Sequence, residues 1–135
     1  MSVQKIILTD INITTGFYEV YLDCQKVGID VIPGVEFRND HEVKYIAIAR
    51  NPDGFAEINR HLSQHLVIGL AYTETAPDFN NVTVIYPLSY TGNSLREHEW
   101  IGIKYWELGK LYKLNVDHEK LVAWHPVTFE NKTKF

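Results

Sequence analysis

The sequence predicts an α/β fold, a mostly parallel sheet with flanking helices. Three observations carry that expectation. Ile6-Ile7-Leu8 and Val31 to Phe37 are apolar strand runs, and a stretch with helical periodicity lies between them. Strand and helix patterns go on alternating to the end of the chain, as they do in layered α/β domains. No internal repeat, low-complexity segment or linker interrupts them, so residues 1–135 read as a single domain with one core.

The elements are expected in the following order. The first strand closes on Thr9-Asp10-Ile11-Asn12. The first helix spans roughly Thr14 to Val27, because Phe17, Tyr21, Cys24 and Val27 recur at three and four residues. Thr14 or Thr15 can cap its start, and Gly28 is its left-handed stop. Val31 to Phe37 forms the second strand, and Arg38 to Glu42 is polar and turn-like. Val43 to Ala49 is a third strand. Asn51 then caps a helix, Pro52 takes its first position, and Asp53 suits the positive end of the dipole. Its buried stripe is Phe55, Ile58, Leu62 and Leu66. Val82 to Leu88 is β-branched and aromatic, hence a strand. Leu95 to Trp100 is expected as a short helix, Ile101-Gly102-Ile103 as a brief strand, and Trp106 to Leu114 as another short helix. Leu121 to Trp124 opens the last strand, which Val127-Thr128-Phe129 continues or leaves.

Composition narrows the function classes. The apolar fraction is 45%, which fits neither a disordered nor a membrane chain. No apolar run is long enough to span a bilayer, and Asp10 interrupts any apolar signal region. One cysteine, Cys24, precludes an internal disulfide and fits a reducing cytoplasm; it falls on a helix stripe, where it is expected as inert packing. The net charge is −4, with no cluster of five or more Lys and Arg. Tight duplex binding by this chain alone is therefore disfavoured, although a few basic residues collected by the fold could do weaker work.

Two acids stand out. Asp10 and Glu36 close successive strands of a strand–helix–strand unit. Parallel neighbours put those ends on one sheet edge, where α/β folds place their chemistry. Two carboxylates in a cleft can split their pKa values and act as an acid/base pair, or remain as a hydrogen-bonded remnant, which is the expectation here.

Ile7-Leu8-Thr9-Asp10-Ile11-Asn12, followed by a helix and Gly28 to Phe37, resembles the PHP (polymerase and histidinol phosphatase) domain at the start of bacterial DNA polymerase III alpha subunits. Tyr45 to Phe55 is similar to the family's next block, and Leu121 to Phe129 to its Val-His-Tyr strand. The resemblance implies a distorted or partial β/α barrel, here a fragment of a larger one. It implies a mouth of His and carboxylate ligands for divalent metals, used for phosphoester hydrolysis or 3′–5′ exonuclease activity. This chain departs from that ligand set. Asp10 and Glu36 keep family positions, but Ile11, Lys44 and Thr128 stand where ligand histidines belong, and no His-x-His motif occurs. Carboxylates without imidazoles make a poor transition-metal site, and a cation at Lys44 opposes metal and could pair with Asp10 or Glu36. Asn12 and His125 are the expected cavity neighbours.

The resemblance therefore implies a catalytically inactive structural and interaction module of a DNA polymerase III alpha subunit, serving replication or repair in the cytoplasm. No bound cofactor is expected. Its partner would be the polymerase body or a proofreading exonuclease subunit, with DNA met only indirectly and no membrane. Open sheet edges could instead pair in a homodimer. The alternative is a metal-dependent phosphoesterase or exonuclease using Zn, Mn or Mg, completed by residues outside this chain. A small-molecule binder using the strand-end cleft is a third reading. His61 and His65, four apart on a helix, are expected along its flank, and His41, His98 and His118 in solvent. The eight tyrosines and three tryptophans are expected mainly in the core.

Overall fold

The computed structural model describes residues 3–92, 94–114, 117–125 and 127. The chain forms β1 (Lys5–Ile11), α1 (Phe17–Lys26), β2 (Asp30–Asn39), β3 (Glu42–Ala49), α2 (Pro52–Ile68), β4 (Val82–Pro87), β5 (Glu99–Ile103) and β6 (Leu121–Ala123). Two 3₁₀ segments, Tyr105–Lys113 and His118–Lys120, lie between β5 and β6. The strands make one curled six-stranded sheet in sequential order, a half-barrel with flanking helices.

The sheet is mixed. Three pairings are parallel and two are antiparallel. The connection from β2 to β3 passes through Asp40 at φ 54°, too short for the crossover that a parallel pair requires. After β3, α2 carries the chain back, and residues 69–81 return to the end of β3, where the Arg50 N–H bonds the Asn81 carbonyl at 3.0 Å. So β3 alone runs against the other five strands. The C-terminal ends of β1, β2, β4, β5 and β6 share one edge with the start of β3.

Local chemistry accounts for the helices. Asn51 caps α2 by accepting the Gly54 N–H at 2.9 Å, and Gly69 stops it at φ 72°. Gly54 is required because a Cβ there would collide with the Asn81 carbonyl. The start of α1 differs from expectation. Its cap position is Gly16, without a side-chain bond, because the Thr14 hydroxyl donates instead to Asn59 Oδ1 on α2 at 2.6 Å. The helix expected over Leu95 to Trp100 does not form. Glu99, Ile101 and Ile103 alternate toward the core, so Glu99 and Trp100 belong to β5. Cys24 on α1 is only half-buried.

The core lies on one face of the sheet. Val35, Phe37, Tyr45, Ala47, Val82, Val84, Tyr86, Ile101 and Ile103 meet Ile58 of α2 and Ala76 of the following loop. His61 is part of this layer, not of the helix flank. It is buried, 2.7 Å from the Tyr45 hydroxyl, and ringed by Phe37, Tyr72, His65 and Phe79. Burial, and secondarily the neighbouring His65, push its pKa down to about 4 from 6.5. Glu99 is also buried on this face. It accepts from the Tyr86 hydroxyl at 2.6 Å and the Arg96 guanidinium at 2.8 Å, while Arg96 also donates to the Ala76 carbonyl at 2.6 Å. Burial opposes ionisation, but these bonds hold the Glu99 carboxyl below its usual range. The network ties the loop before β4 to both β4 and β5.

The neutral His61 sets a pH dependence. As pH falls below 6.5 the unfolded chain binds a proton that the folded chain refuses, so stability is intact above 6.5 and is lost toward 4. Urea denaturation should show the wild type losing about 3 kcal/mol between neutral pH and pH about 4 beyond any loss in His61→Phe. Parallel pH profiles for the two proteins would remove His61 as the source.

Candidate functional site at the strand-end edge

The part of the shared strand-end edge that holds the two acids is built by β1, β2 and the start of β3. Its layout follows from register. Ile11 pairs with Glu36, and Asp10 pairs with Val35. Paired residues on neighbouring strands point to the same face, and successive residues alternate. Asp10 therefore lies on the helix-covered face, where its Oδ2 closely approaches Gly16 at the head of α1. Glu36 lies on the opposite face, beside Ile11. The two acids share an edge and are separated by the sheet, so they do not form an acid/base pair.

Asn12 fixes the end of β1. It sits at φ 56°, a conformation that asparagine tolerates better than most residues. Its side chain spans the Arg38 backbone in both directions: Nδ2 donates to the Arg38 carbonyl at 3.0 Å and Oδ1 accepts the Arg38 N–H at 2.9 Å. The Asn12 N–H donates to the Glu36 carbonyl at 3.1 Å. The Arg38 guanidinium in turn donates to Glu36 Oε2 at 2.7 Å. Both partners are largely covered, with 28% and 13% of their side chains exposed, which puts this pair beyond an ordinary surface ion pair. Arg38 Nε is buried without a protein partner.

Lys44 stands at the start of β3, next to a register shift between Phe37 and Arg38. It is buried, and its ammonium pairs with Glu74 and with Glu42, the latter at 2.9 Å. These are its partners, not Asp10 or Glu36. The hydrogen bonds to Glu74 and then Glu42 hold its pKa above the usual lysine range despite opposing burial. Ile11 is half-exposed on the same face as Glu36. Thr128 lies outside the described residues.

Two clefts lie away from the two acids, one at the C-terminal ends of β5 and β6 on this same edge and one at the N-terminal ends of β4 and β5. One of about 310 Å³ opens between the Tyr105–Lys113 segment and β6, lined by Tyr105, Leu108, Leu111, Leu121, Trp124 and His125. His125 is thus at an apolar cleft. Another, of about 290 Å³, is bordered by Phe79, Arg96, His98 and Glu99. His98 is half-buried, with Nδ1 3.3 Å from the Arg50 guanidinium, whereas His41 and His118 are exposed as expected.

The residues at the strand-end edge do not fit a divalent metal. Ile11 offers no lone pair, Lys44 supplies a cation, and the Glu36 carboxylate already carries a guanidinium. Among the described residues no three His, Cys, Asp or Glu side chains come together as a ligand set. Comparison with family models, curated proteins and solved structures finds no match. Among the described residues, no helix is long and apolar enough to cross a membrane.

Sequence reasoning placed His61 on the wrong side of its helix and missed Glu99 and the Asn12–Arg38 clasp. The signal for Glu99 was available: it shares the period-two alternation of Ile101 and Ile103. The clasp depends on the pairing of strands distant in sequence. Asn12→Ala removes both side-chain bonds and strains a left-handed backbone, so it should destabilise the fold by about 2 kcal/mol in urea denaturation. Asn12→Gly relieves the strain without restoring the bonds and should recover part of that loss. A loss below about 0.5 kcal/mol for Asn12→Ala would show the clasp to be incidental.

Proposed function

We propose that the chain is a PHP-like module of a DNA polymerase III alpha subunit whose catalytic metal site has been lost, acting as a structural and interaction part in replication or repair. The observation that supports this reading most is the state of Glu36. Its register neighbour at the family's ligand-histidine position is Ile11, and its carboxylate is engaged by Arg38. Lys44, at another ligand position, is tied to Glu74 and Glu42. Positions that would converge on metal have become a local charge network.

The module would work in the cytoplasm. Its contacts with the polymerase body, a proofreading exonuclease subunit or a second copy would run through the sheet edges, where β1 and β6 each pair on one side only among the described residues. Unpaired edges invite strand addition from a partner.

Elemental analysis of the purified chain, before and after soaking in zinc and manganese, tests the reading. It should hold no more than trace metal and leave phosphodiester substrates intact. A stoichiometric metal lost on Glu36→Ala would overturn it and favour a metal-dependent phosphoesterase completed by residues outside this chain.

A further inference from the structure

The Tyr105–Lys113 segment carries rings and charges that the fold leaves uncovered. A 3₁₀ helix has three residues per turn, so residues three apart are eclipsed and the segment has three faces. Tyr105, Leu108 and Leu111 form the first and line the cleft against β6. Trp106, Gly109 and Tyr112 form the second. Glu107, Lys110 and Lys113 form the third.

The second face is an aromatic one with a gap. Trp106 is 60% exposed and Tyr112 is 83% exposed. They stand two turns apart, about 12 Å along the axis at a rise of about 2.0 Å per residue. Gly109 lies between them, and a Cβ there would meet open space. The Lys104 ammonium lies 5.5 Å from the Trp106 ring centroid and 4.7 Å from that of Trp124. Among the described residues Lys104, Lys110 and Lys113 make no salt bridge. The one acid of the segment, Glu107, is occupied at its start, accepting the Lys104 N–H at 2.9 Å. A chain of net charge −4 thus holds a locally positive strip beside exposed rings.

We propose that this segment is a contact surface for single-stranded nucleic acid, with bases stacking on Trp106 and Tyr112 and phosphates meeting Lys104, Lys110 and Lys113. Charge complementarity selects a polyanion, and the exposed planar faces select one with unpaired bases. A duplex hides its base faces and needs a wider basic surface than three lysines supply. The contact is weak and salt-sensitive, in keeping with the acidic chain as a whole. It stands on this segment alone and does not depend on the polymerase reading.

The test is a titration of the full chain with fluorescent oligo-dT and oligo-U at low ionic strength. Either single strand should bind, with tryptophan quenching, more tightly than a duplex of equal length. Log affinity should fall with log salt at a slope of about −2, as expected for three phosphates on a single strand. Trp106→Ala and Tyr112→Ala should each weaken binding roughly tenfold, while Trp106→Phe retains most of it. Lys110→Gln with Lys113→Gln should flatten the salt slope to about −0.7. These positions are exposed, and an unchanged circular dichroism spectrum checks each variant's fold. No binding at low ionic strength, binding by both ring variants as tight as that of the wild type, or displacement by polyglutamate as effective as by a single strand would overturn the proposal; the last would mark a surface for acidic peptides.

Discussion

The parallel register between β1 and β2 is the constraint on which the strand-end edge depends. It pairs Ile11 with Glu36 and Asp10 with Val35. In a pleated sheet, one residue of offset sends a side chain to the opposite face. Asp10 is therefore turned toward the helices, and Glu36 is left on the opposite face beside an isoleucine. A lone carboxylate in a partly covered position needs a partner. Arg38, two residues on along β2, supplies it, and Asn12 holds the Arg38 backbone in place.

The same logic of partnering governs the start of β3. A buried ammonium at Lys44 would be costly alone, and two carboxylates reach it from the turn and from the loop after α2. Deeper in the fold, Glu99, Tyr86 and Arg96 satisfy one another, and His61 is accommodated by staying neutral. Among the described residues, the buried polar side chains Lys44, His61 and Glu99 are thus paired or uncharged. The face away from the helices is partly open. Trp124 lies over Gly102 there, and Ile11 remains half-exposed.

Much of this was legible in local sequence and some was not. The cap at Asn51, the stop at Gly28 and the strand–helix–strand unit depend on neighbours within a few residues, and the sequence shows them directly. The reversal of β3 was readable in principle, since five polar residues from Arg38 to Glu42 cannot make a crossover. Thr14 failed as a cap because Asn59, 45 residues away, competes for its hydroxyl. The face of Asp10 could not be read from strand order, because order fixes the edge and only register fixes the face. His61 looked like a flank residue because helical spacing does not reveal that Tyr45 supplies a hydroxyl at the buried end. The exposed rings at Trp106 and Tyr112 were hidden by the general rule that aromatics are core, which fails on a short 3₁₀ segment with one face against the sheet.

Cysteine cross-linking between β1 and β2 tests the register most directly. In a Cys24→Ser background, Ile11→Cys/Glu36→Cys places two cysteines at paired positions on one face of strands spaced about 4.8 Å apart, a backbone separation within disulfide reach. Mild oxidation should link that pair and leave Asp10→Cys/Glu36→Cys largely reduced, because its thiols lie on opposite faces. Efficient linkage of the Asp10 pair with none of the Ile11 pair would shift the register by one residue. That outcome would bring the two acids onto one face and contradict this account of the strand-end edge.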